Sequence, residues 1–279
     1  MRSMTTGPAG RLACGLVLGL LAAAAVGASA PWDREHLPPV WRAAAQSRFS
    51  EAEKSLPADA ADEEARFTQA VLRFNRQPRT SANMDAAISL FTALATEAAT
   101  PERRARSLYF WARSEDLRRS DDASGPALKL YERLWREYPE QPFGQRALVH
   151  CLLHAFYSND SRDVVLARCA ALEQSADGVK DSTVRCHFHQ AAARGYLHLG
   201  GAEAMALKHL LAVEQLGVAR QEAWGDLQVS IGQIGAQLGQ PALARAHYAA
   251  FLQKYPHDPR AFTVRALLAA LPVGGETAP

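Results

Sequence analysis

The sequence predicts an all-α protein, a solenoid of about six helical hairpins with a capping helix after the last. Three observations predict it. Alanine is abundant, β-branched residues are sparse and strand-like alternation is missing, so helix is the class that composition favours. A small residue followed four positions later by an apolar one recurs at an even period. Turn-forming residues fall between the helices at matching intervals.

The recurring pairs are Ala52 and Leu56, Ala87 and Phe91, Ala127 and Tyr131, Val165 and Cys169, Ala206 and Leu210, and Ala244 and Tyr248. Successive anchors lie 35, 40, 38, 41 and 38 residues apart. Each anchor belongs to the second helix of a hairpin. The first helices are expected over 38–46, 62–76, 102–119, 145–157, 183–199 and 221–238. Turn signals at 79–83, 120–125, 158–161, 200–201 and 239–241 separate the arms, and Tyr-Pro at 138–139 and 255–256 ends two second helices. Residues 260–271 form one more amphipathic helix, stopped by Pro272, that can cover the open apolar end. The physics is simple: two short helices cannot bury their shared stripe alone, a small anchor lets them approach, and the apolar residue one turn on fills the gap to the next unit.

The unit from Asp226 to Pro256 resembles the tetratricopeptide repeat (TPR) family. Ile231-Gly232 fits its Leu-Gly pair, Gly239 its turn glycine, Ala244 its alanine, Tyr248 its aromatic and Pro256 its closing proline. Gly235 stands where a first-helix tyrosine is usual, and Val165 where the fourth unit would carry alanine. The resemblance covers about 38–271. It implies a right-handed α-solenoid whose first helices line a concave groove that holds a protein or peptide. The stretches Tyr131 to Pro142 and Tyr248 to Ala261 are similar to the repeats of bacterial envelope TPR proteins, among them outer-membrane assembly factors and periplasmic coordinators of cell-wall synthesis.

Residues 1–30 read as a secretory signal peptide: Arg2 and Arg11, an apolar stretch from Leu12 to Val26, and an Ala28-Ser29-Ala30 cleavage site. An uncleaved anchor is the other reading of that segment. The expected organisation is 1–30 signal, 31–57 an N-terminal segment with a first degenerate repeat, 58–271 the solenoid and 272–279 a disordered tail. Cleavage after Ala30 places the chain in the periplasm or outside the cell. The whole chain has 31 Lys and Arg against 29 Asp and Glu; losing Arg2 and Arg11 leaves 29 against 29. A neutral surface argues against nucleic acid, whose binding needs basic residues to displace counterions. No later segment is apolar enough to span a membrane. Cys151, Cys169 and Cys186 would survive processing, and an odd number leaves at least one thiol unpaired. Cys151 and Cys169, on the two arms of one hairpin, either form a disulfide or behave as small buried hydrophobes.

No phosphate-cradling loop, nucleophile elbow, His-Glu-x-x-His or Cys-x-x-Cys is present. The sequence therefore reads as a non-catalytic scaffold needing no cofactor, with a protein or peptide partner in the cell envelope. The groove residues expected from the repeat register are Arg106, Tyr109 and Arg113, then His150, His154 and Tyr157, then His187, Gln190 and Arg194. Arginine with tyrosine suits acidic or carboxylate-bearing ligands. A second reading makes the chain a ligand- or metal-binding module, with His150, His154 and His187 as ligands; His150 and His154 share a helix face. The aromatics Trp32, Trp41, Trp135 and Tyr138 either bind or fill gaps between units.

Overall fold

The structure is a computed structural model that describes residues 38–56, 62–118, 125–217 and 221–272. The expected signal peptide with its cleavage site, Trp32 and the tail from 273 lie outside the described residues. The described residues are all-α: α1 (Pro38–Ala45), α2 (Phe49–Lys54), α3 (Glu63–Asn75), α4 (Ser81–Glu97), α5 (Pro101–Leu117), α6 (Pro126–Glu137), α7 (Pro142–Phe156), α8 (Arg162–Ala176), α9 (Ser182–Leu199), α10 (Glu203–Leu216), α11 (Gln221–Gln237), α12 (Pro241–Lys254) and α13 (Ala261–Ala269). Among the described residues no helix is long and apolar enough to cross a membrane.

The chain divides into two compact units, one ending at Ala86 and the other starting at Ala87, so that α4 runs across the boundary. In the first unit α1 packs on α2 and α2 on α3. Its core gathers Val40, Ala43, Ala52 and Leu72, with Trp41 packed against them as a gap filler. Glu53 on α2 ties down α3 through Arg73 and Arg76, at 3.4 and 3.2 Å.

In the second unit the helices pack in succession, each hairpin closing on itself and then on the next. Within hairpins α5 meets α6, α7 meets α8, α9 meets α10 and α11 meets α12; between them α6 meets α7 and α10 meets α11. First helices also touch first helices, α5 against α7 and α7 against α9. This is a solenoid-like arrangement. The C-terminal α13 packs on α12, where Val264 and Leu271 join Tyr248 and Phe251.

All six anchors are buried: Ala52, Ala87, Ala127, Val165, Ala206 and Ala244. One turn later Phe91, Tyr131, Cys169 and Tyr248 are buried as well. Helix starts follow ordinary capping rules. Thr100 accepts from Arg103 N–H, and Asp181 from Thr183 and Val184 N–H. Pro101, Pro126, Pro142 and Pro241 sit in the first turn of their helices, where a missing N–H costs nothing. That is why α7 begins at Pro142, ahead of the expected 145. Gly200 and Gly201 between α9 and α10, and Gly239 before α12, take positive φ of 66°, 60° and 68°, which glycine adopts without steric cost.

Two glycines inside helices mark the closest approaches. A Cβ on Gly232 of α11 would lie 2.4 Å from the Tyr248 ring of α12, and one on Gly195 of α9 would lie 2.3 Å from the Phe156 ring of α7. Gly232→Ala is expected to destabilise the protein by about 1–3 kcal/mol, the usual cost of overpacking. Gly178→Ala, whose added methyl would meet only the Ser175 carbonyl at 3.5 Å, changes stability little. Chemical denaturation of the two variants measures the contrast.

Candidate functional site

Four of the expected groove residues come together at the junction of α5, α6 and α7, around a carboxylate. Asp116 lies in the last turn of α5. Tyr131 O–H donates to its Oδ2 at 2.7 Å, and His154 Nε2–H to its Oδ1 at 2.8 Å. Arg113 Nη1 lies 3.3 Å from Oδ2. Tyr131 is the buried aromatic of its unit, and its hydroxyl needs a partner there. Burial works to raise the Asp116 pKa, but the hydrogen bonds from His154 and Tyr131 outweigh it and hold the carboxyl below the ordinary range.

His150 completes the cluster. Its ring lies flat on Tyr131, with centroids 4.4 Å apart and planes 6° from parallel. Burial, aided by the Arg113 charge, pushes its pKa down to about 3, so it is neutral at neutral pH. The Tyr109 hydroxyl, whose pKa burial raises, lies 3.0 Å from His150 Nε2. With Nδ1 4.0 Å from Asp116 Oδ2, the consistent tautomer carries its proton on Nδ1 and accepts from Tyr109 on Nε2.

The chemistry differs from the expectation in one respect. Arg113 and His154 were expected to meet an acidic ligand, yet both already address a carboxylate of this chain. An incoming acid would have to compete with Asp116. The other expected residues lie outside the cluster. Arg106 is half-buried on α5, Gln190 is half-buried on α9, and His187 and Arg194 are exposed on α9. Tyr157, which caps α7, is 58 % exposed with its ring 5.2 Å from that of His198.

Sequence reasoning missed Asp116, although its spacing of three from Arg113 and seven from Tyr109 puts it on their helix face. It also missed Arg146, one turn before His150 on α7. The Arg146 guanidinium sits over the Phe143 ring at 5.2 Å. Neither it nor Arg194 has an ion-pair partner among the described residues.

Two further clusters share the plan of the first, with a carboxylate, a donor on the next helix and a histidine on the one after. Glu173 of α8 accepts from the Tyr196 hydroxyl of α9, while His209 of α10 places Nε2 3.1 Å from its Oε1. Lys208 Nζ reaches the other oxygen at 3.0 Å. Burial opposes ionisation of Glu173, but these donors bring its pKa down to about 2. Glu214 of α10 accepts from Gln228 Nε2 of α11 at 2.6 Å, and the Gln228 Oε1 lies 2.8 Å from His247 Nδ1 of α12.

The disulfide reading is corrected. Cys151 and Cys169 are free, buried thiols in different cores, Cys151 among residues of α5 and α6 and Cys169 among residues of α7, α8 and α9. Burial pushes both pKa values up to about 12. The metal reading also lacks a site: among the described residues no three His, Cys, Asp or Glu side chains are placed to hold an ion, and His150 and His154 are engaged by Tyr109 and Asp116. Trp135 and Tyr138 fill the core around α6. No protein-family model matches the chain, and no curated protein matches it.

The His150 shift fixes a pH dependence. Its folded pKa of about 3 lies below the unfolded value of 6.5, so the unfolded chain takes up the proton first. Its contribution is full above pH 6.5 and is lost as pH falls from there towards 3. His150→Phe keeps the ring on Tyr131 and removes the titration. Between pH 6 and 4 the stability of this variant should fall less steeply than that of the parent, by about 1.4 kcal/mol per pH unit. Urea titrations at several pH values measure the two slopes.

Proposed function

We propose that this chain is an exported, non-catalytic TPR scaffold that holds a protein or peptide partner of the cell envelope on the face made by its first helices. The observation that carries the proposal is the direct packing of α5 on α7 and α7 on α9, which brings the helices that bear the expected groove residues against one another. The N-terminal signal pattern and the balanced charge that follows its removal support an exported chain that does not bind nucleic acid. The buried anchors at the TPR-like period support the family reading.

The face has two parts with different roles. Around α5 and α7, Asp116 holds Arg113 and His154 in fixed positions, presenting a rigid, internally neutralised surface with the Tyr109 ring beside it. Across α7 and α9, Arg146 and Arg194 have no ion-pair partner among the described residues, and His187, near Asp181, adds a third basic group. A partner's acidic side chains would meet this second part, because an exposed guanidinium can take a carboxylate through two hydrogen bonds.

The test is retention of a partner from an envelope fraction by the full chain and by two triple variants. Arg146→Ala with His187→Ala and Arg194→Ala should abolish retention while leaving thermal unfolding within a few degrees of the parent. Arg113→Ala with His154→Ala and Arg194→Ala should lose both retention and stability, since the first two changes strip donors from Asp116. Undiminished retention by the Arg146 triple would sink the proposal.

A further inference from the structure

The contact between α9 and α10 contains a pair of histidines that meet through the same ring atom. His189 Nδ1 of α9 lies 2.8 Å from His209 Nδ1 of α10. At that separation the two nitrogens share one proton, because one must donate and the other accept. The surroundings say which. His209 is 1 % exposed, its ring is stacked on Tyr196 with centroids 5.6 Å apart, and its Nε2 lies 3.1 Å from Glu173 Oε1, off the line of a straight hydrogen bond but too close for two facing lone pairs. An ionised carboxylate only accepts, so His209 carries its proton on Nε2 and offers a lone pair on Nδ1. His189 must therefore hold the proton on Nδ1.

We propose that this pair is an acid-sensitive latch on the α9–α10 hairpin, closed while one proton lies between the rings and opened when His209 Nδ1 takes a second. The first added proton does no harm. His189 Nε2 can accept it and leave Nδ1–H pointing at His209. A proton on His209 Nδ1 sets two N–H groups head to head in a buried space, and the rings must part. Because His209 is also stacked on Tyr196 and faces Glu173, parting the rings loosens α10 from α8 as well as from α9.

The charges around the pair pull in both directions. From α8, Glu173 and Asp177 favour protonation of His189; on α10, Lys208 opposes it. On α9, the Tyr196 hydroxyl is held neutral by burial and by its bond to Glu173, and the Phe188 ring stands edge-on to His189. The Cys169 thiol near Tyr196 is neutral too, pushed up to about 12 by burial. Burial lowers the His189 pKa, and the neighbouring His209 adds to that, so at neutral pH His189 is neutral with its one proton on Nδ1.

Two measurements on the full chain test the latch. The first is ¹⁵N NMR of the histidine rings at pH 7.5, expected to show His209 protonated on Nε2 and His189 on Nδ1; the reverse assignment for either ring overturns the proposal. The second is hydrogen exchange, corrected for intrinsic rate, at pH 7.5 and then stepwise to pH 4.5. Opening that takes up one proton raises the open population about tenfold per pH unit below the ordinary histidine pKa of about 6.5. Amides of α9 and α10 should lose protection on that slope. In His189→Gln the side-chain amide can turn its oxygen to a protonated His209, so the slope on α9 and α10 should vanish. An unchanged slope in that variant, or protection in the parent that does not fall with pH, overturns the latch. Should His189→Gln fail to fold, the ring assignments and the slope in the parent still decide.

Discussion

Two helices come close only where the side chains between them are small, and the whole architecture depends on meeting that condition once per hairpin. Ala52, Ala87, Ala127, Val165, Ala206 and Ala244, one on each second helix, are all buried. The close approach they allow is then filled by a larger group one turn on, most fully by Phe91, Tyr131 and Tyr248. Gly195 and Gly232 take the same logic further, leaving no room even for a methyl beneath Phe156 and Tyr248.

Filling those gaps with tyrosine has a cost that shapes the polar groups. A buried phenol must place its hydroxyl, and in two of the hairpins the sequence supplies a carboxylate from the preceding helix. Asp116 receives Tyr131, and Glu173 receives Tyr196. A buried carboxylate in turn needs further partners; His154 donates to Asp116 from the following helix, and His209 brings its Nε2 to 3.1 Å from Glu173. The polar clusters of the α5–α10 region are thus consequences of the packing rule, and the basic residues within them are bound internally before any partner arrives.

The helical repeat was legible in the sequence because a period near 38 residues survives in the anchors even where the rest of a unit has drifted. The meeting of Tyr109, Arg113, His150 and His154 was legible too, since a shared helix face and a known register suffice to place them together. Asp116 was missed because attention to positive charge passed over an acid on the same face. Glu173 and His209 were hidden for a different reason: they lie on second helices, where the rule for a groove gives no guidance. Of the two readings of Cys151 and Cys169, the buried thiol holds and the disulfide does not, because equal distance from a turn does not say which side of a helix a residue takes; the two turn into separate cores.

The three carboxylate clusters each cross two joints between consecutive helices. One binds α5 to α6 and α7, the next α8 to α9 and α10, and the last α10 to α11 and α12. An ideal repeat array is modular, since each unit touches only its neighbours and one can be lost or duplicated without stranding anything. Here the excision of any hairpin between α5 and α12 would leave a carboxylate or a histidine without its mate. Only the joint between α7 and α8 is crossed by none of the three. A pair of helices inserted at that joint would separate none of the three clusters, whereas no hairpin between α5 and α12 can be removed without breaking one.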